Sequence, residues 1–302
     1  DSNTAKVTFF MGDHSARQID TITYLGNNEV VLGNSFIVMS REEPRQESSP
    51  EITRYVRLLS TKAPLFEKVS ENTVLVRIPA FDHAFKKDID AVIAKHLDTI
   101  LKTENFIIDI RGNGGGSDVS YASLLPILYT NPIRTVGMEY LSTELNNSRM
   151  LGFLQNPHFS EEEKLWAKDG YDILNQHIGS YINIDEDVTV ETFDKIEPLP
   201  KSIGVLVDSS NGSTAEQFLL AAKQSKKVKL FGQTTAGVLD ISNMYQTDSP
   251  SGTFTLYYSL TKSLRIPHMA IDGVGIQPDY YIDGELPLYQ WTSYTQKILE
   301  GM

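Results

Sequence analysis

Two segments, Phe106-Ile107-Ile108-Asp109-Ile110 and Ile203-Gly204-Val205-Leu206-Val207, are almost unbroken apolar runs of strand length. A strand that is apolar on both sides has no face to offer water, so it belongs in the middle of a sheet with helices above and below. Val74-Leu75-Val76-Arg77-Ile78 and Val228-Lys229-Leu230-Phe231 read as further strands. Helical patterns lie between them. Lys87 to Thr103 places Ile89, Val92, Ile93, Leu97, Ile100 and Leu101 on one stripe, and shorter helices are expected over 119–129 and 215–224. The expected class is α/β: a mixed β-sheet core with helices on both faces.

Ahead of this alternation, residues 5–60 read as short β-strands punctuated by Gly12-Asp13, Asn27-Asn28 and Gly33-Asn34. The polar stretch Arg41 to Pro50 reads as a loop. Residues 131–200 interrupt the strand–helix rhythm and read as an insertion, with a helix over about 161–176 and an acidic stretch from Asp185 to Glu191. The division expected is a β-rich segment with linker over 1–65 and an α/β core over 66–302.

Composition removes several function classes. With 27 Lys+Arg against 39 Asp+Glu, the net charge is −12, which opposes binding to nucleic acid or to an anionic membrane surface. Hydrophobic residues make up 40% of the 302, enough to exclude wholesale disorder. There is no cysteine, so thiolate metal sites, disulfides and cysteine nucleophiles are absent. No apolar run reaches the ~18 residues of a membrane-spanning helix.

Four constellations could carry chemistry. Arg111-Gly112-Asn113-Gly114-Gly115-Gly116-Ser117 follows a buried strand, where ligands of open α/β sheets collect. Its glycines suit a tight turn, a hole of bare amides for an anion, or a dinucleotide loop; the last needs Gly where Ser117 stands. Asn211-Gly212-Ser213-Thr214-Ala215-Glu216 leads from the second buried strand into a helix. Ser213 there could be a nucleophile at the positive end of the helix, though the commoner use of Ser-x-x-Glu is a capping box. Ile271-Asp272-Gly273-Val274-Gly275-Ile276-Gln277-Pro278-Asp279 sets two acids around a turn; Asp272 could orient a base or simply shape that turn. Of the six histidines, His96 falls on an apolar helix face and reads as core, His14 adjoins a turn, His83 follows a strand end and His268 stands four residues before Asp272. No two have the H-x-x-x-H spacing of a zinc site.

Taken in order, these segments resemble the S41 peptidase family, which includes the C-terminal processing (tail-specific) proteases and the tricorn core protease. Val76 to Phe81 resembles the strand opening its core domain, and Ile107 to Gly116 its D-x-R-x-N-x-G-G oxyanion loop. Ser213-Thr214-Ala215-Glu216 resembles the S-A-x-E nucleophile segment. Phe231 to Gly237 and Gly275-Ile276-Gln277-Pro278-Asp279 resemble the G-x-x-T-x-G and G-[IV]-x-P-D segments, so the likeness spans about residues 72–283 outside the insertion. The resemblance implies a ClpP/crotonase-like core, a β-rich N-terminal segment that ends a PDZ-like domain, and serine endopeptidase chemistry on peptides or unfolded proteins without a cofactor. Ser213 would be the nucleophile, with Glu216 nearby and Gly114, Gly115 and Thr214 as oxyanion donors. Processing proteases place a lysine base about 25 residues after the serine; Gly237-Val238-Leu239 stands there instead. The tricorn-like branch uses an upstream histidine and an acid at the position of Asp272. Asp13-His14-Ser15 matches its D-x-H-[ST] motif only faintly, leaving His14, His83 and His268 as candidate bases and a segment upstream of Asp1 as the expected source. The alternative is a binding module of the same fold that lost its base. Family members mostly work outside the cytoplasm, which points to a bacterial periplasm or cell envelope.

Overall fold

The computed structural model describes residues 49–157 and 160–301, together with the backbone of five short strands ahead of residue 41. β1 (Val7–Phe10) pairs antiparallel with β2 (Ala16–Ile19), and β3 (Ile22–Gly26), β4 (Glu29–Leu32) and β5 (Ile37–Ser40) form a separate antiparallel sheet. Next come α1 (Pro50–Ser60), β6 (Leu65–Lys68), β7 (Thr73–Arg77), α2 (Lys86–Ile100), β8 (Asn105–Asp109) and the single turn α3 (Leu125–Leu128). β9 (Ile133–Val136), β10 (Met138–Leu141), α4 (Glu144–Ser148), α5 (Met150–Gln155), α6 (Glu161–Asn175), β11 (Tyr181–Ile182) and β12 (Val188–Glu191) follow. The remainder is β13 (Ser202–Val207), α7 (Thr214–Ala222), β14 (Val228–Gly232), β15 (Ile241–Asp248), β16 (Thr255–Ser263), β17 (Tyr280–Tyr281) and α8 (Trp291–Glu300). The chain divides into two compact units, Asp1–Thr130 with Lys195–Thr235 and Ile276–Met302, and Asn131–Asp194 with Ala236–Gly275. Of the 131–200 segment read as an insertion, residues 131–194 share a unit with 236–275, and residues 195–200 belong to the first unit.

The first unit is built on a six-stranded sheet in the order β17-β14-β13-β8-β7-β6, parallel except for β6 at one edge. Every residue of β7 and β8 is buried, as the apolar runs require. On one face Leu75, Ile107, Leu206 and Phe231 pack with Leu58 of α1 and with Trp291 and Leu299 of α8. Gly204 admits α8 to that face: a Cβ there would lie 2.8 Å from Thr295 Cγ2 and 3.1 Å from Leu299 Cδ1. Beyond the strand ends, Phe218 of α7 packs against Phe81 and Tyr121, with ring centroids 5.4–5.5 Å apart.

A buried charge network closes the carboxyl end of β8. Arg111 grips Asp109 through Nε to Oδ1 at 3.0 Å and Nη2 to Oδ2 at 2.7 Å, and Arg77 Nη1 adds a contact at 3.5 Å. Burial alone would push the Asp109 carboxyl up, but Arg111 and Arg77 hold it below the usual carboxylate range. The spare donors reach other elements: Arg77 Nε to Leu58 O at 3.0 Å and Arg111 Nη1 to Leu288 O at 3.1 Å.

Three local readings are corrected. The polar loop and β-structure expected up to residue 60 end in α1, whose cap is Ser49 accepting from Ile52 N, with Pro50 in its first turn. Its buried residues Ile52, Tyr55, Leu58 and Leu59 have helical spacing. The helix expected over 119–129 is 3-10 from Asp118 to Leu124 and α only over α3, because Pro126 lacks an N–H and can sit only in a first turn. His96, read as core, is half-buried and stacks on Phe66 with centroids 3.9 Å apart.

The second unit carries an antiparallel sheet ordered β11-β10-β16-β15, the pair β12-β9, and helices α4 to α6. Its neatest device is reciprocal. The Asp272 carboxylate accepts from the N–H groups of Leu239, Asp240 and Ile241 at 2.6, 2.6 and 3.0 Å. The Asp240 carboxylate accepts from Ile271 N–H at 2.5 Å, Asp272 N–H at 2.9 Å and Arg265 Nε at 2.7 Å. Burial pushes the Asp240 carboxyl up, but these donors outweigh it and leave the group below its ordinary range.

Asp109→Asn leaves Arg111 buried without its counter-charge, so a loss of about 3–5 kcal/mol is expected in urea unfolding. Gly204→Val overpacks the α8 contact and should cost about 1–3 kcal/mol, read as a lower melting temperature.

Candidate active site

The parallel strands β7, β8, β13 and β14 all point their carboxyl ends the same way, and the loops that follow β8 and β13 meet there. Two asparagines lock these loops together. Asn211 is fully buried; its Nδ2 donates to Ile110 O at 2.6 Å and Asn113 O at 3.0 Å, and its Oδ1 accepts from Asp208 N at 2.8 Å. Asn113, also fully buried, donates through Nδ2 to Ile78 O at 3.2 Å and accepts from Gly115 N at 2.9 Å. Phe81 then pairs with the bend, its N–H donating to Gly115 O at 3.0 Å while Ser117 N–H donates to Phe81 O at 2.9 Å. Reading the sequence for chemistry passed over Asn211 and Asp208. Their signal was the polar run Asp208-Ser209-Ser210-Asn211 directly after a buried strand.

Ser213 stands at the meeting point. It is half-buried, while Asn211, Gly212 and every residue from Thr214 to Leu219 are buried. Its backbone sits at φ 53°, ψ −126°, a region that costs a non-glycine residue about 1–3 kcal/mol. Its hydroxyl does not cap α7, and among the described residues Oγ makes no hydrogen bond. The capping-box reading therefore fails here. The same Ser-x-x-Glu pattern succeeds at α6, where Ser160 and Glu163 form both reciprocal bonds.

The glycine bend touches this serine. Gly115 has φ +110°, and a Cβ on it would lie 2.7 Å from Gly212 O, 2.9 Å from Ser213 Cβ and 2.9 Å from Thr214 N. No larger residue fits without moving one loop off the other. Of the three expected oxyanion donors, Gly115 has its N–H already bonded to Asn113 Oδ1. The Gly114 and Thr214 N–H groups have no acceptor among the described residues. Thr214 also opens α7, where the helix presents its positive end.

The remaining candidates have the following surroundings. Glu216 is fully buried and accepts from Thr235 Oγ1 at 2.5 Å; Thr235 Oγ1 in turn accepts from Ile276 N at 2.7 Å. It ties α7 to the segment after β14. Both Asp272 oxygens are held by main-chain amides of its own unit. His83 is exposed on a 3-10 turn capped by Asp82. His268 is exposed and belongs to the second unit, as does Val238, which is 53% exposed. His14 lies outside the described residues. Asp279 accepts from Leu230 N at 2.8 Å and so closes the last segment onto β14. Among the described residues, no group of three or more His, Cys, Asp or Glu side chains could hold a metal ion.

Comparison with known proteins agrees with this architecture. An uncharacterised protein of Chlamydia muridarum is 24% identical over 268 residues, covering 76% of this chain and 44% of its own length. A protein of Chlamydia trachomatis is 26% identical over 204 residues, covering 58% of this chain and 34% of its own length. The chain thus spans less than half of either curated relative. Among solved structures, mature CPAF complexed with lactacystin aligns with a TM-score of 0.59 at 14% identity, covering 99% of this chain and 67% of that one. This likeness concerns the fold. The model of peptidase family S41 matches residues 72–282, a stretch that holds both loops, the strained serine and the five mutually parallel strands of the six-stranded sheet. On that match, the chain belongs to peptidase family S41.

Proposed function

We propose that this chain carries the nucleophile and oxyanion hole of a serine endopeptidase acting on peptides or unfolded proteins. The observation that carries the reading is Ser213, held at φ 53° with its hydroxyl uncapped and partly open to solvent. Strain of this kind is retained where it aims a reactive group, and a serine that only capped a helix would not need it. In the proposed reaction Ser213 Oγ attacks the scissile carbonyl carbon and its proton passes to a general base. The carbonyl oxygen takes the negative charge, facing the Gly114 and Thr214 amides. Collapse expels the amine, which takes the proton from the base, and leaves an acyl-serine. Water, activated by the same base, then releases the acid. Each oxyanion donor supplies about 2.7–4 kcal/mol in enzymes of this type.

The base is proposed to come from outside the described residues, from a segment upstream of Asp1. What supports this is that Ser213 Oγ has no hydrogen-bond partner within them and that Asp272 is occupied by amides. The same two observations favour one second reading, a binding module of this fold for a peptide or apolar ligand. Location outside the cytoplasm, in a bacterial periplasm or envelope, is part of the proposal. It rests on the habit of the family. No helix among the described residues is long and apolar enough to cross a membrane.

A fluorophosphonate probe separates the readings. It should label the chain extended upstream and fail to label the Ser213→Ala variant of that longer chain, and cleavage of an unstructured peptide should rise with the extension. A binding module would bind peptide without labelling, and that result would remove the peptidase reading. Gly115→Ala should lose labelling at least a hundredfold while keeping a cooperative unfolding transition, because its Cβ pushes the bend away from Ser213.

A further inference from the structure

Asp208 is the one ionisable member of the clamp between the two loops. Its Oδ2 accepts from Gly112 N–H at 2.9 Å, across to the glycine bend, and its Oδ1 accepts from Ser210 N–H at 3.0 Å, within its own loop. Its N–H donates to Asn211 Oδ1 at 2.8 Å, so it also fixes the asparagine whose amide holds Ile110 and Asn113. Every part of this clamp lies within five residues of Ser213 or within the bend that touches it. From these contacts, we infer that Asp208 is a positioning residue: its carboxylate pins the Gly112 end of the bend, and loss of that charge releases the bend from Ser213. The inference deepens the proposed peptidase chemistry and rests on it for its catalytic consequence.

The electrostatics make the assignment more than a structural bond. The charged groups around Asp208 are Arg111 and Arg77, which favour its ionised form, and Asp109, which opposes it; the Tyr55 phenol nearby stays neutral, its own pKa pushed up to about 12. Burial pushes the Asp208 carboxyl above the usual range, against the Gly112 and Ser210 N–H bonds and Arg111 that pull it down. The sign follows by linkage. A carboxyl whose folded pKa exceeds its unfolded value makes the fold less stable once it ionises, because the folded state is the one that prefers the proton. At neutral pH the charge is therefore carried at a cost to stability. Protonation turns one of the two carboxylate oxygens into an O–H and leaves a single strong acceptor, so the Gly112 and Ser210 amides are no longer both held as the carboxylate holds them. The bend is thus set above the Asp208 pKa and loosened below it.

Two measurements on the chain extended upstream, as wild type and as Asp208→Asn, test this. The first is the fluorophosphonate labelling rate of Ser213 between pH 4 and 8. The second is the amide proton shift of Gly112 in protein labelled with 15N-glycine, over the same range. In the wild type the Gly112 amide should titrate with a midpoint above the ordinary carboxylate range, and labelling should fall with it. Asp208→Asn should abolish the Gly112 titration and slow labelling at least tenfold at pH 8. Its melting temperature should stay within about 3 °C of wild type or rise, where a merely structural bond would lower it. Labelling of Asp208→Asn at the wild-type rate, or a Gly112 amide that does not titrate, overturns the inference. Absence of labelling in the wild type at every pH would instead remove Ser213 as the nucleophile, while the Gly112 titration would still decide whether Asp208 holds the bend.

Discussion

A single buried carboxylate organises the carboxyl end of the sheet. Asp109 ends β8, and the two guanidinium groups that neutralise it come from β7 and from the first residue of the glycine bend. Each guanidinium then uses its other donors on a main-chain carbonyl of a covering element, Leu58 of α1 and Leu288 just before α8. Arg111 also lies 5.8 Å from the centroids of the Tyr55 and Trp291 rings. An isolated charge at this depth would be prohibitively costly, and the pair is tolerable because the charges meet directly and further donors reach main-chain carbonyls. The direction in which the bend leaves the sheet is set by that requirement. The asparagine clamp and the Gly115 contact operate on a bend whose root is already fixed.

Much of the fold was legible because burial on both faces leaves a strong trace in sequence. β7, β8 and β13 match the apolar runs to within a residue or so at either end. The parts misread are those where tertiary context overrides a local cue. α1 was hidden by the polar stretch before it, although Ser49-Pro50-Glu51 is a helix start and Ile52, Tyr55 and Leu59 repeat at helical spacing. α8 went unread because its apolar residues are few. Trp291 and Leu299 are buried at its two ends, and Thr292 and Thr295 fill the rest of its inner face.

The site divides the same way. The meeting of the glycine bend with Ser213 follows from two loops leaving adjacent parallel strands, and motif order alone points to it. Whether the serine caps its helix was not legible. Ser160-x-x-Glu163 and Ser213-x-x-Glu216 are the same pattern, and they diverge through backbone conformation: φ −66° at Ser160 and φ 53° at Ser213. Contacts with Gly115 and the buried side of α7 impose the second value, and no local propensity encodes it. Asp272 was ambiguous for a related reason. Only the fold reveals that three consecutive amides at the start of β15 point at its carboxylate.

The bond from Arg111 to Leu288 O has a consequence for biosynthesis. Residue 111 leaves the ribosome about 177 positions ahead of the carbonyl it needs, and Trp291 and Leu299 arrive later still. Until that last stretch has been made, the arginine at the root of the bend lacks one acceptor and one wall of its enclosure. The corner of the fold that holds the bend is therefore completed late in a nascent chain, although its own residues were translated long before.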